Sequence, residues 1–382
     1  MSNFSKFISS ISTPVVDGES NSQLTFETIK SKLEEFHLKV KWYKDLFIVT
    51  YPKKKSVSTS VVDVNNDLVK ECRGLIVNKN SPFNVVCKGF DMFEDTVPDT
   101  VSFDQLKIMT TIDGTYVRLY YNNDKWCVAT NRCIDAKRAR WHSYKTFYDY
   151  FQEASHSPES LLNYERLNKD RVYLFVVCHP ENRIVKVYQN SKLYHIGTLD
   201  SKNGWSEVDE DIGIPKPELF NNNDVQSLQS LQEYTKTLDW QNPGFVVQWT
   251  NSDGVIKRCK IRNNNYEYVN GLRGDKISMV EHYLTLRSDT ENPRTFTEFT
   301  KYFPEYSIIE DSINMTSRYV HQMYMEYYVN KTIQYVPDRI SWRILGELHT
   351  RYIRTKEPTT LDIVHQYIRS MPNQELAKLL RF

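Results

Sequence analysis

The chain has 382 residues, of which 40% are hydrophobic and 25% are charged, and this predicts a folded protein with two domains rather than a disordered chain. A net charge of +1 excludes a uniformly basic surface, so any basic groove must be local. The six cysteines stand singly, which argues against zinc and favours a reducing compartment. No apolar run approaches the ~20 residues of a membrane span, and the N-terminus lacks a signal-peptide core, so we expect a cytoplasmic protein.

The first two thirds of the sequence alternate short apolar segments with polar loops. Residues 1–20 are rich in Ser, Thr and Asn and predict an irregular lead-in, whereas residues 24–36 have helical spacing. Further helices are expected at 141–154 and 225–238. The strand-like segments are 38–43, 46–51, 72–77, 83–89, 125–130, 172–178, 184–188, 193–199, 245–249 and 255–261.

The segment 106–121 has the pattern of a strand, a tight turn and a second strand. Asp113-Gly114 supplies the turn, with a glycine that tolerates φ > 0. Residues 115–121 then alternate β-branched and aromatic side chains, as a strand does. We therefore predict a central hairpin here.

From Asn265 onward, helical spacing replaces strand alternation, and prolines separate the candidate helices. These helices are expected at 275–287, 295–303, 309–330, 338–352, 360–370 and 373–381. The sequence thus predicts an α+β fold. Residues 1–265 would form antiparallel sheets with flanking helices, and residues 266–382 would form an all-α domain.

Five short motifs follow one another in an order that resembles a known family. They are Glu-Cys-Arg-Gly-Leu-Ile-Val at 71–77, Thr-Ile-Asp-Gly-Thr at 111–115, the run from Phe175 to Tyr188 with Pro-Glu-Asn-Arg-Ile-Val at its centre, Pro-Gly-Phe-Val-Val at 243–247, and Lys-Ile-Arg-Asn-Asn-Asn-Tyr at 260–266. Together they resemble the ATP-dependent RNA ligases typified by the T-even phage tRNA-repair ligase. The resemblance implies a nucleotidyltransferase domain with an ATP-grasp-like ligase fold for residues 1–265.

In that family a lysine amine attacks the α-phosphate of ATP, two carboxylates assist, and two basic residues neutralise the phosphates. Here the nucleophile position holds Thr111, and the two carboxylate positions hold Val176 and Pro243. Lys260 matches the first lysine of the paired-lysine motif, and Arg262 stands at the second. The resemblance therefore implies a catalytically degenerate site inside an intact frame. Rescue by Lys107, four residues upstream, would require a shift in strand register.

Several residues become candidate nucleotide ligands through this resemblance: Arg73, Asp113, Gly114, Arg118, Lys186, Lys260 and Arg262. Each also has a structural interpretation. Arg73 would be a surface ion pair, Asp113 and Gly114 would be turn residues, and the other cations would be outward-facing strand residues. The sequence leaves these alternatives open.

A second basic segment contains Lys137, Arg138 and Arg140, which are candidates for gripping RNA phosphates or for the solvated start of a helix. The 25 tyrosines are explained by core and strand filling, or by a few exposed rings that stack on bases. His179 precedes a proline in a turn and is expected to be polar surface. Neither a P-loop nor a Gly-x-Gly-x-x-Gly pattern occurs.

The sequence favours an RNA-ligase-like pseudoenzyme that binds RNA, nucleotide or a protein partner. One alternative is an active ligase with a displaced nucleophile, or one that seals pre-adenylylated RNA. Another is a scaffold with a vestigial pocket. ATP and Mg²⁺ are expected only if the pocket still functions, a metal site within the protein is not expected, and the oligomeric state is not predicted.

Overall fold

A computed structural model of the protein describes residues 2–12, 24–51, 63, 66–141, 143–276, 278–336 and 339–380. The chain divides into two compact units, Met1–Asn270 and Gly271–Phe382. The boundary expected between residues 265 and 266 falls within the helix Asn264–Arg273. Within the described ranges, no helix is both long enough and apolar enough to cross a bilayer.

Three antiparallel sheets occur in the described part of the first unit. The first has the order β1-β2-β3-β4, with strands β1 Lys39–Tyr43, β2 Leu46–Thr50, β3 Leu75–Asn78 and β4 Val85–Cys87. The second has the order β10-β9-β8-β6-β7, with strands β6 Thr115–Asn122, β7 Lys125–Thr130, β8 Arg171–Cys178, β9 Lys192–Asp200 and β10 Ser206–Val208. The third has the order β12-β11-β5, with strands β5 Lys107–Thr110, β11 Gly244–Thr250 and β12 Ile256–Arg262.

Helices flank these sheets and then take over the chain. The earlier ones are α1 Asn3–Ile11, α2 Phe26–Glu35, α3 Asp67–Glu71, α4 Phe147–Ser155, α5 Leu228–Lys236 and α6 Asn264–Arg273. The described residues of the second unit form α7 Met279–Ser288, α8 Pro293–Tyr302, α9 Ile308–Tyr324, α10 Arg339–Thr355, α11 Leu361–Arg369 and α12 Asn373–Leu379, with a π-helical turn after α9. The predicted α+β fold, with sheets first and helices afterwards, is confirmed.

The second sheet is covered on both faces, which explains why β8 is an unbroken apolar run. On one face Phe175 packs against Phe151 of α4, with ring centroids 5.9 Å apart. On the other face Leu174 packs in a cluster with Ile48 of the first sheet. Successive side chains of a strand point to opposite faces of the sheet, and each face of β8 packs against a separate core. Both sets of β8 side chains must therefore be apolar.

The irregular lead-in expected for residues 1–20 is wrong for the described part, because Asn3–Ile11 is helical; residues 13–20 lie outside the described residues. The Ser2 side chain accepts a hydrogen bond from the Ser5 amide and begins the helix. Phe4 is fully buried against the first sheet, and its amide donates to Glu71 at 2.8 Å. Apolar residues at 4, 7, 8 and 11 carried the helical spacing, which the polar composition concealed.

Helix α1 gives the first prediction. Phe4→Ala should reduce the free energy of unfolding of the first unit by about 3–5 kcal/mol, because it leaves a cavity where a whole ring was buried. Chemical denaturation of the full chain measures this change. Lys6→Ala, at an exposed position of the same helix, should change stability by less than ~0.5 kcal/mol. Equal stabilities for the two variants would mean that α1 does not contribute to the core.

Candidate functional site

The segment 111–114 links two different sheets and is not a hairpin turn, so the predicted central hairpin is wrong. Strand β5 pairs with β11, whereas β6 pairs with β7 and β8. The Thr111 amide extends the first pairing by donating to the Gly244 carbonyl at 2.9 Å. A local sequence pattern identified both strands, but it does not contain the pairing of β5 with β11, a strand more than 130 residues later.

Gly114 serves close packing between the segment and β8, and its φ is not positive. A Cβ added there would lie 2.5 Å from the Val177 carbonyl oxygen and 2.7 Å from Val176 Cγ1. Real Cβ atoms do not approach backbone oxygen so closely, so this position requires glycine. The same contact brings Val176 directly against the segment.

The Asp113 carboxylate is buried and fully engaged by the protein. Its Oδ2 accepts hydrogen bonds from the amides of Val185 at 3.0 Å and Lys186 at 2.6 Å, and its Oδ1 accepts one from the Tyr266 hydroxyl at 2.8 Å. Residues 184–188 are therefore a loop whose amides face Asp113, and the strand predicted there is wrong. This geometry favours the structural interpretation of Asp113 over a role as nucleotide ligand.

Thr111 lines a cavity of about 170 Å³ between the second and third sheets. Several candidates meet here, because Arg73, Val176 and Lys260 line the same cavity. It also contains residues that sequence reasoning missed, namely Phe90, Phe93, Tyr116 and Arg258. The regular alternation of Arg258, Lys260 and Arg262 along β12 was the available signal for Arg258.

Two cations in this cavity have no carboxylate partner among the described residues. The Arg73 guanidinium and the Lys260 ammonium lie 5.6 and 5.8 Å from the centroid of the Phe93 ring. Desolvation, followed by the charges of Arg73 and Arg262, lowers the pKa of Lys260 below its usual 10.5. Arg258 differs, because it forms a bidentate ion pair with Glu207. The arrangement of Arg73 and Lys260 therefore favours an anion.

A neighbouring cavity, also lined by Thr111, contains Pro243 and the exposed Lys186. The two positions where the family resemblance implies carboxylates, Val176 and Pro243, thus lie in the two cavities that Thr111 joins. Glu218 and Asp239 line this second cavity and were not singled out in the sequence.

Other candidates lie away from the cavity, and Arg118 requires a correction. It is completely buried, and its guanidinium donates to the carbonyls of Gly74 and Thr130. Arg118 therefore holds two loops together and does not line a phosphate pocket. Arg262 is exposed and pairs with Glu267 at 3.5 Å.

The structure does not place Lys107 or His179 as a catalytic group of the cavity. Lys107 begins β5, four residues or about 13 Å along an extended chain from Thr111, and does not line the cavity. The expectation that His179 is polar surface is wrong, because it is 5% exposed. Its Nε2 lies 2.7 Å from Glu153 Oε2, and its Nδ1 accepts a hydrogen bond from the Glu181 amide.

The second group of candidates, Lys137, Arg138 and Arg140, lies exposed in and just after a 3₁₀ turn that follows β7. Lys137 lies over the Tyr148 ring at 4.4 Å, and Arg138 lies over the Tyr43 ring at 4.0 Å. The segment is therefore a cation–aromatic surface separate from the cavity, and not the beginning of α4.

The cavity residues do not fit a magnesium ion held by protein groups. Mg²⁺ prefers carboxylate and water oxygens in octahedral geometry. Val176 offers no oxygen from its side chain, and the Asp113 carboxylate is already bonded to two amides and a hydroxyl. Within the described ranges, no group of three or more His, Cys, Asp or Glu residues could hold a metal ion.

Comparisons with known proteins identify a family. A family model described as RNA ligase matches residues 71–269. Curated relatives include an immediate-early protein ICP-46 homolog of Invertebrate iridescent virus 3, which is 23% identical over 308 residues, covering 75% of this chain and 66% of that protein. An RNA ligase of Rhodothermus phage RM378 is 29% identical over 174 residues, covering 36% of this chain and 39% of that protein.

A putative bifunctional polynucleotide kinase/RNA ligase of Autographa californica nuclear polyhedrosis virus is 25% identical over 262 residues, covering 62% of this chain and 35% of that protein. The chain thus spans between about one third and two thirds of the length of these curated relatives. Among solved structures, an archaeal ATP-dependent RNA ligase has a TM-score of 0.45 at 13% identity, covering 77% of this chain and 83% of that one.

The Asp113 contacts give a prediction. Asp113→Asn should reduce the free energy of unfolding by about 1.5–3 kcal/mol, because the charged acceptor of two amide N–H groups becomes neutral and the new NH₂ group faces the Tyr266 hydroxyl, which can no longer donate to it. Thermal and chemical denaturation measure this loss. Asp104→Asn, the same change at an exposed position, is the matched control and should be neutral. A stable Asp113→Asn variant that loses only nucleotide binding would show that Asp113 is a ligand and not a structural residue.

Proposed function

The chain belongs to the RNA ligase family, and we propose that it is a non-catalytic member that binds a nucleotide through its phosphates without forming a covalent bond to it. One observation carries the proposal. Thr111 and Val176, at the positions of the family's nucleophile and first carboxylate, line the same cavity as Arg73 and Lys260. The groups that would make this pocket reactive are replaced, while two cations that suit phosphate remain.

Thr111 is a poor substitute for the nucleophile. A hydroxyl attacks a phosphate only when a neighbouring base removes its proton. The first carboxylate position holds Val176, the second holds Pro243, and Asp113 directs both carboxylate oxygens at protein donors. None of these three positions therefore places a free base beside the Thr111 hydroxyl.

The remaining groups suit a nucleotide. Arg73 and Lys260 repel each other, and a phosphate between them would replace that repulsion with two charge-assisted hydrogen bonds. Phe90, Phe93 and Tyr116 supply aromatic surface for a base in the same cavity. Glu207 neutralises the charge of Arg258. The Arg258 guanidinium lies over the Phe90 ring, 3.8 Å from the ring centroid.

A second candidate function is an active ligase in which Lys260 replaces the missing nucleophile. An amine with a lowered pKa is a better nucleophile at neutral pH, and Lys260 is such an amine. In the third sheet Lys260 pairs with Val246, which pairs with Met109, so the lysine lies two strands across and two residues along from Thr111. Lys107 has no comparable location, since it does not line the cavity.

The proposal predicts reversible ATP binding without a protein–AMP adduct. Lys260→Gln should weaken ATP binding at least about tenfold, because a hydrogen bond to a charged group contributes roughly 1.5–3 kcal/mol. Isothermal titration calorimetry measures the affinity, and intact-protein mass spectrometry after incubation with ATP and Mg²⁺ detects an adduct. Lys257→Gln is the control: it removes the same charge from β12, where Lys257 pairs with Glu94 at 3.2 Å outside the cavity.

Two results would contradict the proposal in different ways. An AMP adduct mapped to Lys260, together with sealing of 5′-adenylylated RNA, would favour the active ligase. Failure of the unsubstituted chain to bind ATP at low salt would favour a scaffold with a vestigial pocket.

The lowered pKa of Lys260 gives a further prediction about pH. Lysine binds phosphate in its protonated form, so above neutral pH, where the ATP phosphates are fully ionised, the affinity for ATP should fall as the pH rises through the pKa of Lys260 in the free protein. Because that pKa is below 10.5, the fall should begin earlier than for an ordinary lysine. Calorimetry across the alkaline range tests this. Lys260→Arg should abolish the fall, and a fall that persists in this variant would assign the titration to another group.

A further inference from the structure

A groove at the other end of β6 combines aromatic rings with cations. Besides the buried Tyr120, its lining includes three aromatic residues, Tyr43, Trp126 and Tyr148, and three lysines, Lys44, Lys125 and Lys137. These six residues, with Arg138 over Tyr43, are called the aromatic groove below. They come from the β1–β2 turn, β7, the 3₁₀ turn after β7 and helix α4, which are far apart in the sequence.

The cations of the aromatic groove are not neutralised by carboxylates. Lys44, Lys125, Lys137 and Arg138 form no ion pair among the described residues. By contrast, other lysines of the first unit do form ion pairs, as Lys145 does with Glu153 and Glu181. Two acids, Asp45 and Asp135, also line the groove, and neither forms an ion pair with its cations among the described residues; Asp135 accepts a hydrogen bond from the Lys137 amide.

The rings are held in place by packing, so they form a firm surface. Trp126 meets Tyr121 edge-on, with centroids 5.3 Å apart, and Tyr173 lies 6.1 Å from it on the core side. Lys169 lies over Tyr121 at 4.6 Å and extends the series of cations over rings beyond the groove. Rings fixed in this way lose little conformational freedom when a base stacks on them.

The aromatic groove and the cavity are separate sites. Tyr116 lines the cavity and Tyr120 lines the groove, about 13 Å apart on the same face of β6. Arg118 lies between them and is fully buried. A ligand of the groove therefore does not compete directly for the cavity.

We propose that the aromatic groove binds single-stranded RNA. Exposed bases stack on tyrosine and tryptophan rings, while lysine and arginine side chains contact the phosphates between them, and this combination is the usual basis of single-strand binding. A duplex keeps its bases stacked on one another, so its bases cannot reach rings in a groove. This inference assigns Lys137 and Arg138 to the groove, whereas Arg140 does not line it.

Fluorescence anisotropy with the full chain tests the inference, using a labelled single-stranded RNA of ~10 nucleotides and a duplex of the same sequence. The single strand should bind at least about tenfold more tightly than the duplex. Lys137→Gln/Arg138→Gln should weaken the binding of the single strand about tenfold. It should also reduce the slope of log affinity against log salt by about 1.4, because two phosphate contacts are lost at ~0.7 each.

Matched variants separate the groove from a general effect of charge. Lys32→Gln/Lys202→Gln removes two exposed lysines from ion pairs elsewhere in the same unit and should leave RNA affinity unchanged. Tyr148→Phe keeps the ring and should keep the affinity, whereas Tyr148→Leu should reduce it about fivefold or more. Circular dichroism verifies that each variant is folded.

The inference is overturned if the duplex binds as tightly as the single strand, if both double variants lose affinity equally, or if Tyr148→Leu and Tyr148→Phe bind alike. It fails separately from the proposed nucleotide site, because ATP calorimetry reports on Arg73 and Lys260 and RNA anisotropy reports on the groove. A chain that binds RNA but not ATP would support the groove and contradict the nucleotide proposal.

Discussion

The buried carboxylate of Asp113 is the constraint on which the candidate site depends. It stands where the chain passes from the third sheet to the second, and it accepts hydrogen bonds from the loop amides of Val185 and Lys186 and from Tyr266 of α6. The Asp113 carbonyl accepts another from the Tyr188 hydroxyl. A single residue thereby holds together the segment between β5 and β6, the loop 184–188 and helix α6. These elements surround Thr111. No other carboxylate described in the site accepts hydrogen bonds from so many separate elements.

Several motif residues that this chain retains support the fold. Asn182 is buried and donates to the Thr115 hydroxyl at 2.7 Å. Gly244 has a φ of 102°, and a Cβ there would lie 2.2 Å from the Ile261 carbonyl oxygen. By contrast, Thr111 and Val176, at positions where the resemblance implies reactive groups, present their side chains to a cavity. Side chains that line a cavity can change without breaking the frame, so loss of chemistry and retention of fold are physically compatible.

Local patterns predicted the elements of this protein better than their partners. β6 and β8 were recognisable because alternation and apolar runs are properties of adjacent residues. The β5–β6 hairpin was wrong because β5 pairs with a strand more than 130 residues later, and no local pattern contains that pairing. The loop 184–188 was mistaken for a strand because Ile and Val there are apolar for packing, while its amides face a distant carboxylate. The order of the motifs was enough to predict that Thr111 and Val176 lie close together. The aromatic residues that line their cavity could not be predicted in this way, because contacts between distant segments bring them there.

The net charge of +1 conceals how the cations of this chain are distributed. One cation of the cavity, Arg258, has an acid beside it, Glu207. Among the described residues, Arg73 and Lys260 in the cavity and Lys137 and Arg138 beside the aromatic groove form no ion pair with a carboxylate. Keeping like charges close together without acids costs free energy in the isolated protein, and a phosphate recovers that cost when it binds. Both places also contain aromatic rings, so each provides for phosphate and base together. The local pairing of charges, more than the overall composition, therefore supports the two sites that we propose.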